Sequence, residues 1–490
     1  MHFINGLDRS QTELLPDSIE DYVDENNPVR VIDAFINSLD MSELGFERSI
    51  PGETGRPPYN PRDLLKLYVY GYMNRTRSSR RLEKETKRNL ELMWLMCRLS
   101  PDHKTISRFR SGNPKALKNV FRAFAKLCDR LGLYGKEIEA LDGSKFKAVN
   151  SKERNFTLGK LEDRISRIDK KIDKYLEELD DNDRAEDEEE KEKTAVEIKD
   201  IIEGLKNRKI RYQEYADELE KTGKTQKSLT DPDSRLMKAN GKMDVCYNVQ
   251  TVVDSKHKLI TEFEVTNHPE DANQIQPMYE MAAEQLETRD FSITADAGYS
   301  SIQDIAASIQ TGADIHVAGT DFEICVPTQE TDAEITEHKN GRCVYFKDRN
   351  IVLCPMGKVL YPGYYKKEKK QGVFHNSAAC KSCACKCSRE KRGKHHEVPM
   401  KEEAFSENYD DTNLFFKQIK IKADKDINSQ RKSIVEHPFG TIKRSMDASY
   451  CLTKGIPKVR GEFSLTFLAY NIKRAINIIG SARLATMCMA

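Results

Sequence analysis

The chain has 490 residues, of which 38% are hydrophobic and 32% charged, and its 80 Lys and Arg nearly balance its 79 Asp and Glu. This length is too great for one ordinary domain and predicts roughly two to four folded units. No apolar run approaches the ~20 residues that span a bilayer, and the N-terminus lacks the pattern of a signal peptide. We therefore expect a cytoplasmic protein that does not enter a membrane.

The first predicted unit, residues 1–134, has the apolar spacing of helices, broken by a Gly- and Pro-rich stretch at 52–61. The segments 75–88 and 101–110 are strongly basic. A helical, locally basic unit suits contacts to DNA phosphates, although a solvated charged face on a helical bundle explains the pattern equally well. The candidate DNA-contacting arginines are Arg75, Arg77, Arg80, Arg81 and Arg108.

Residues 151–227 read as an insertion made of two helical arms. Apolar residues recur three and four positions apart in each arm, as in a heptad seam, and a strongly acidic stretch at 177–190 separates the arms. This pattern predicts an antiparallel coiled-coil hairpin; one long dimerising helix is the alternative, which the acidic break disfavours. The predicted seams are Leu158, Leu161, Ile165, Ile168, Ile172, Tyr175 and Leu179, and then Ile198, Ile201, Leu205, Arg208, Tyr212, Tyr215 and Leu219.

Strand patterns of period two flank this insertion and continue beyond it. The segment 137–145 alternates like a strand and contains Asp142 followed by Gly143. A hairpin is predicted over 245–266, a helix capped by Asp271 follows, and a strand over 291–295 leads into Asp296. With a further strand near 314–319, these elements predict a mixed α/β sheet.

Residues 326–424 interrupt the α/β rhythm and contain six of the 12 cysteines, between positions 343 and 387. Cys380 and Cys383 have the spacing with which one turn offers two thiolates to tetrahedral zinc. A four-thiolate structural zinc site is therefore predicted from Cys354, Cys380, Cys383 and Cys387. Free thiols and disulfides remain open as alternatives. The residues that this assignment leaves spare or as substitute ligands are Cys343, Cys385, His395 and His396.

The stretch 431–444 holds one carboxylate, Glu436, among apolar residues and several cations. In a continuous helix Lys443 would share its face, although Pro438 is expected to kink or end the helix. Asp142 and Asp296 each end a predicted strand, and together with Glu436 they could hold two divalent ions about 4 Å apart. An all-carboxylate site favours Mg²⁺ or Mn²⁺ over zinc.

These residues resemble a known family, the DDE-type transposases of bacterial insertion sequences. The resemblance rests on Leu141-Asp142-Gly143-Ser144-Lys145, Ala295-Asp296-Ala297-Gly298-Tyr299 and Val435-Glu436-His437-Pro438-Phe439-Gly440. Supporting pieces are Tyr247-Asn248-Val249-Gln250, Val265-Thr266-Asn267 and Ala469-Tyr470-Asn471. The resemblance implies an RNase H-like catalytic core in which Asp142, Asp296 and Glu436 bind the catalytic metal ions.

A subset of these transposases carries a Tyr, Arg, Glu and Lys at fixed spacing. Glu436 and Lys443 fit that spacing, which implies a phosphate contact for Lys443. The Arg position holds Lys432, with Arg431 beside it, and the Tyr position holds Ser429. Either Arg431 or Lys432 is therefore a candidate for the missing positive charge.

The complete prediction is an α/β protein with an RNase H-like core, formed by 135–150 with 228–325 and 425–482, behind the all-α region 1–134. The coiled-coil insertion at 151–227 and the small Cys-rich insertion at 326–424 complete the chain. The resemblance implies a nucleoid-associated enzyme that binds terminal inverted repeats and target DNA as a homodimer, cleaving and joining strands. Alternatives are a non-catalytic, domesticated DNA-binding relative and a metal-dependent nuclease without strand transfer.

Overall fold

The computed structural model describes residues 18–489 apart from 48, 51–56, 183–187, 240, 302–303, 306–307, 310, 328–333, 339–340, 355–357, 382–396, 402–405, 410–415 and 423. Helices and strands alternate in the central part of the chain, as predicted for a mixed α/β protein. None of the helices in these described ranges is long and apolar enough to cross a membrane.

The N-terminal region is helical in its described part, as predicted. A 3-10 turn at Ile19–Tyr22 precedes six helices whose apolar faces share one core with the sheet described below. Asn27, Asn60 and Asp102 begin three of these helices by accepting backbone N–H bonds, as N-cap residues do. The helices are α1 (Pro28–Asn37), α2 (Pro61–Met73), α3 (Ser79–Glu85), α4 (Leu90–Leu95), α5 (His103–Gly112) and α6 (Pro114–Arg130).

The central sheet combines antiparallel and parallel strands. β1 pairs antiparallel with β5 on one side and parallel with β7 on the other, and β7 pairs parallel with β8. The far edge of β5 is shared by β4 and β6, which pair with different parts of this long strand. The strands are β1 (Ile138–Lys147), β4 (Arg235–Ala239), β5 (Lys242–Asp254), β6 (Ile260–Thr266), β7 (Ser292–Ala295) and β8 (Asp314–Val317).

Helices cover both faces of this sheet. α9 (Ile275–Leu286) lies between β6 and β7 in the chain, and Gln274 rather than Asp271 is its N-cap residue, so the predicted capping role of Asp271 is wrong. α11 (Lys425–Gly440) crosses β1 and β7, while α12 (Ile456–Ile479) packs between the sheet and α6. Gly461 permits this close approach, since a Cβ there would lie 2.9 Å from Pro114 Cα. A short helix, α13 (Ser481–Met489), follows.

Two ion pairs to one buried carboxylate connect the N-terminal helices to the sheet. Lys118 of α6 donates to the Glu262 carboxylate and to the Phe263 carbonyl, and Arg122 Nε donates to Glu262 Oε2 at 2.7 Å. Glu262 is completely buried, so its charge depends on these two cations for compensation. The helical region is therefore fixed rigidly to β6.

The insertion at 151–227 is a helical hairpin formed by α7 (Leu158–Asn182) and α8 (Glu188–Thr222), joined at its base by β2 (Asn155–Phe156) and β3 (Lys227–Ser228). The predicted seam of α7 contains the buried Leu161, Ile168 and Ile172, and the predicted seam of α8 contains the buried Ile198, Leu205 and Leu219. Ile202 is buried there and Ile201 is exposed. Ile201 and Arg208 were therefore assigned wrongly, because adjacent isoleucines fit either spacing. Leu179 has no described side chain.

The second insertion forms an antiparallel sheet with its own small core, rather than an irregular Cys-rich segment. β9 (Asp321–Pro327) and β16 (Phe416–Lys422) pair at the base, where the insertion leaves and rejoins the core. A short helix, α10 (Ser377–Lys381), also belongs to the insertion. The remaining strands are β10 (Glu334–His338), β11 (Gly341–Phe346), β12 (Ile351–Leu353), β13 (Val359–Lys366), β14 (Gln371–His375) and β15 (Glu397–Lys401).

Asn471 of α12 explains why the Ala469-Tyr470-Asn471 piece matters for the fold. Its Oδ1 accepts from Ile260 N at 2.9 Å and its Nδ2 donates to Ile260 O at 2.8 Å, where β6 begins. Asn471→Leu leaves the Ile260 N–H buried without this acceptor, while Tyr134 Oη still donates to Ile260 O at 3.1 Å. We therefore expect a loss of about 1–3 kcal/mol in the free energy of unfolding, measured in urea. Asn477→Leu, at an exposed position of the same helix, is the control and should change it by less than about 0.5 kcal/mol. Equal effects of both variants would contradict this role.

Candidate active site

Asp142 and Asp296 come together because their strands are neighbours. The parallel pairing of β1 and β7 aligns Ala140 with Thr294, and both strands then run on toward the two aspartates. The negative charge of Asp296 contributes to the raised pKa of Asp142, so the two carboxylates lie close enough to repel one another. The side chain of Asp296 also accepts from Gly298 N at 2.8 Å and so holds the 3-10 turn Ala297–Tyr299 that follows.

The environment of Asp142 disfavours its charged form. Burial raises the pKa of Asp142 to about 6, and the neighbouring carboxylates of Asp296 and Asp271 act in the same direction. The Arg431 guanidinium opposes this shift, with Nη1 4.0 Å from Asp142 Oδ1. Asp142 lies in the middle of β1, which continues to Lys147, so the prediction that the strand ends at Asp142 is wrong. A carboxylate that is perturbed by burial and by like charges is a candidate functional group.

α11 carries the third predicted carboxylate across the same face of the sheet. The helix continues through Pro438 to Gly440 and then into a π-helical turn, Thr441–Ser445, so Pro438 does not end it. Glu436 lies beside the buried Val435, but its side chain is 66% exposed and its ion-pair partner is Lys432 at 3.9 Å. Glu436 thus lies on the helix that crosses β1 and β7, but its side chain is not buried beside Asp142.

Lys443 and Arg431 both lie against β1, on the face that carries Asp142. Lys443 Nζ donates to Ser144 Oγ at 2.6 Å and to Lys145 O at 3.2 Å, whereas Glu436 points to solvent. Lys443 lies within the π-helical turn, which has more residues per turn than the α-helix that carries Glu436. The two side chains therefore do not share one helical face. Arg431 is half-buried and Lys432 is 74% exposed. Of the two candidate cations, Arg431 is therefore the one beside Asp142.

The residues present fit a divalent cation, although the described part of the chain contains no preformed cluster of three ligands. Within the described ranges, no group of three or more His, Cys, Asp or Glu side chains is arranged to hold a metal ion. The Asp142–Asp296 pair nevertheless offers hard oxygen donors, the type that Mg²⁺ and Mn²⁺ prefer. Their mutual repulsion raises the pKa of Asp142, and a bound cation would relieve it.

Sequence reasoning missed a polar cluster directly behind Asp142. Asp271 accepts from Lys145 Nζ at 3.0 Å, from Asn248 Nδ2 at 2.7 Å and from Gln250 Nε2 at 2.8 Å. The register of β1 and β5 pairs Gly143 with Gln250 and Lys145 with Asn248, so these side chains occupy the face opposite Asp142. The alternation in Tyr247-Asn248-Val249-Gln250 was a visible signal for one polar face, but its partner Asp271 lies in a loop.

The candidate DNA-contacting arginines of the N-terminal region have two different environments. Arg75, Arg80, Arg81 and Arg108 are exposed. Arg77 is buried: its Nη1 donates to Tyr450 O at 2.9 Å and lies 3.5 Å from Glu462 Oε1. The prediction for Arg77 is therefore wrong, because its guanidinium joins the helical region to the core and does not face solvent.

The predicted zinc ligands lie only partly within the described residues. Cys354 is buried in the small core of the second insertion together with Cys343, and Cys380 is half-buried on α10. Cys383 and Cys387 lie outside the described residues, as do Cys385, His395 and His396. The structural zinc site therefore stays a prediction.

Two family models match the chain. Residues 17–112, most of the N-terminal helical region, match the family described as "Transposase domain (DUF772)". Residues 353–476 match the family described as "Transposase DDE domain", a match that includes Glu436 and Lys443 but neither Asp142 nor Asp296. The resemblance to the DDE-type transposases of insertion sequences is thereby confirmed. Comparison with curated proteins and with solved structures found no significant match.

Proposed function

We propose that this chain is a DNA transposase that binds the terminal inverted repeats of an insertion sequence and catalyses metal-dependent strand cleavage and strand transfer. The observation that carries the proposal is the adjacent pair Asp142 and Asp296, crossed by the helix that bears Glu436 and Lys443 within the DDE match. The strand order β6-β5-β1-β7-β8, with two antiparallel pairs followed by two parallel pairs, supports an RNase H-like core.

Each polar residue of the site has a proposed role. Asp142 and Asp296 hold Mg²⁺ or Mn²⁺ with Glu436, and the bound ions supply an activated oxygen nucleophile and stabilise the leaving oxygen. Lys443, whose ammonium already lies against β1, contacts a DNA phosphate beside the cleaved bond. Arg431 neutralises Asp142 and, once released from it, offers a second phosphate contact.

Exposed arginines of the helical region extend the proposed DNA surface. Arg80 and Arg81 lie on α3 and Arg108 lies on α5, and these two helices pack together. Arg75 belongs to the turn before α3. Guanidinium groups of this kind bind phosphates irrespective of sequence, so we propose that they position the DNA ends. Because transposition joins two ends, we also propose that the protein acts as a homodimer on DNA.

Glu436→Gln tests the enzymatic proposal directly. DNA duplexes that carry the two ends of the element, found as inverted repeats flanking the gene, are incubated with the protein and Mg²⁺. We expect wild-type protein to nick these ends and join them to target DNA. Removing one metal-binding carboxylate should lower nicking by about 10³-fold or more and leave end binding, measured by gel shift, within about threefold. Asp426→Asn, an exposed carboxylate on the same helix, is the control and should retain nicking.

Two results would contradict parts of this proposal. Wild-type protein that binds the ends but does not nick them with Mg²⁺ or Mn²⁺ is a non-catalytic DNA-binding relative. Protein that nicks without joining the 3′ ends to a target is a nuclease without strand transfer. The joining assay therefore separates the three candidate functions.

A further inference from the structure

We propose that Asp271 is a positioning residue that holds the turn after β7 against β5 and so sets the separation of Asp142 and Asp296. Asp271 lies in the loop between β6 and α9 and is bound by three donors from two strands, Lys145, Asn248 and Gln250. The link between this cluster and metal binding rests on the proposed function; the link between the cluster and the turn does not.

The first step of the inference is that Asp271 organises β1 and β5. Lys145 Nζ lies 3.0 Å from both oxygens of Asp271, and Asn248 and Gln250 both donate to its Oδ1. Lys145, Asn248 and Gln250 all bind this carboxylate through N–H donors, and the donor from Lys145 is charged. The cluster joins the strand that carries Asp142 to its antiparallel neighbour.

The second step connects Asp271 to the turn that follows Asp296. The hydroxyl of the buried Tyr299 donates to Gln250 Oε1, while the amide of the same Gln250 side chain donates to Asp271. Gln250 thus has its orientation fixed at both ends, since a rotated amide would present the wrong groups to both partners. Tyr299 closes the 3-10 turn that begins directly after Asp296. Asp271 is therefore connected to the turn after Asp296 through two side chains, Gln250 and Tyr299.

The third step is that Gly143 and Gly298 leave room for this cluster. A Cβ on Gly143 would lie 2.5 Å from both Asp271 Oδ1 and Gln250 Nε2. A Cβ on Gly298 would lie 2.9 Å from Asp296 Oδ1 and 3.9 Å from Asp271 Oδ2. Gly143, the residue after Asp142, thus lies against Asp271 with no room for a side chain, whereas a Cβ on Gly298 would be at ordinary van der Waals distance from Asp271 and would collide with Asp296 instead. Asp271 therefore packs closely against the backbone of the Asp142 segment and lies near the turn after Asp296.

Asp271→Asn tests the inference with nearly the same shape. The variant cannot accept hydrogen bonds from Lys145 with its amide nitrogen, so the cluster loosens. We expect faster hydrogen exchange at the Gly298 and Tyr299 amides of the metal-free protein. We also expect about 10- to 100-fold weaker Mn²⁺ binding by calorimetry, the usual cost of removing a group that orients metal ligands. Gly143→Ala, which presses on Asp271 and Gln250 from β1, should change both measurements in the same direction.

Asp304→Asn is the matched control for a purely structural carboxylate. Asp304 accepts from Ile275 N at 2.6 Å and Gln276 N at 2.8 Å at the start of α9, outside the Asp271 cluster. We expect this control to lower stability but to leave turn exchange and Mn²⁺ affinity within about twofold of wild type. Unchanged turn exchange in Asp271→Asn would overturn the positioning role, and so would Mn²⁺ affinity within about twofold of a wild type that binds the ion. A wild type that binds no Mn²⁺ would contradict the proposed function, while turn exchange would still decide the role of Asp271.

Discussion

Asp142→Asn is expected to abolish Mg²⁺-dependent nicking while making the folded protein more stable at neutral pH. Nicking should fall by about 10³-fold or more, because a carboxylate of the proposed metal site becomes a neutral amide. The stability gain has a separate cause. Burial and the carboxylates of Asp296 and Asp271 raise the pKa of Asp142 to about 6, so its charged form is disfavoured in the folded state. The free energy of unfolding should therefore rise by about 1–3 kcal/mol in the variant at pH 7–8.

The pH dependence of this gain follows from the direction of the shift. A carboxyl whose pKa is raised on folding stabilises the protein fully below its unfolded pKa and loses that stabilisation as pH rises through about 6. Because Asn does not titrate, the free energies of unfolding of variant and wild type should differ little below about pH 4 and most above pH 6. Urea unfolding of the metal-free proteins across this range measures it. Asp217→Asn, on the exposed side of α8, is the control and should show no such trend.

A variant that loses nicking together with several kcal/mol of stability would contradict this account. Loss of activity would then be explained by damage to the fold. The comparison therefore separates a carboxylate kept for chemistry from one kept for structure, since functional sites often retain groups that cost stability.

Glu262→Ala is expected to cause the largest loss of stability. The substitution leaves the Lys118 ammonium buried without its carboxylate, and removing one partner of a buried pair costs about 3–5 kcal/mol. Burial already lowers the pKa of Lys118, and Glu262 opposes that shift, so the lysine should become neutral more readily in the variant. Chemical denaturation at pH 7 and at pH 9 measures both effects: the loss should be smaller at pH 9, where neutral Lys118 is more accessible.

The double variant Glu262→Leu with Lys118→Met tests the cause of this loss. Replacing Glu262 and Lys118 with apolar side chains removes the buried uncompensated ammonium and leaves only the partly exposed Arg122 without its carboxylate, so the double variant should be more stable than Glu262→Ala. Glu264→Ala, which breaks a partly exposed pair with Arg460, is the control and should cost no more than about 1 kcal/mol. If the double variant is as unstable as the single one, cavity formation and not charge explains the loss.

Strands and helices with a clear period were predictable from local pattern. The strand that carries Asp142, the hairpin of β5 and β6, and the strand before Asp296 all appear where alternation predicted them. Alternation reports which residues share a face, because successive side chains of a strand point to opposite sides. Alternation does not report which side chain from elsewhere in the chain covers that face. The pattern near Asp271 predicts a helix cap, whereas the carboxylate binds Lys145, Asn248 and Gln250 of the two strands.

The heptad spacing of the first insertion illustrates a second limit. Ile201 and Ile202 are adjacent, and a spacing of three or four accommodates either of them. In the structure Ile202 is buried, and Lys209, seven residues further along α8, pairs with Asp169 of α7 at 2.6 Å. Only packing against α7 could select between the two isoleucines.

Composition likewise could not separate the arginines of the N-terminal region. Arg77 and Arg80 lie three residues apart in one basic segment, yet Arg77 is buried against Tyr450 and Glu462 and Arg80 is exposed. The partners of Arg77 are more than 370 positions away in the chain. A local pattern contains no information about contacts at that distance.

The sequence by itself determined the mixed α/β class, the helical N-terminal region and the three carboxylates that carry the resemblance to DDE-type transposases. These features depend on residue type and short-range spacing, which local physics makes readable. Tertiary structure decided that Asp142 faces Asp296 and Arg431, that Glu436 is exposed beside Lys432, and that Asp271 lies behind the pair. Those outcomes depend on strand register and on the packing of α11 across the sheet, both of which join residues that are far apart in the chain.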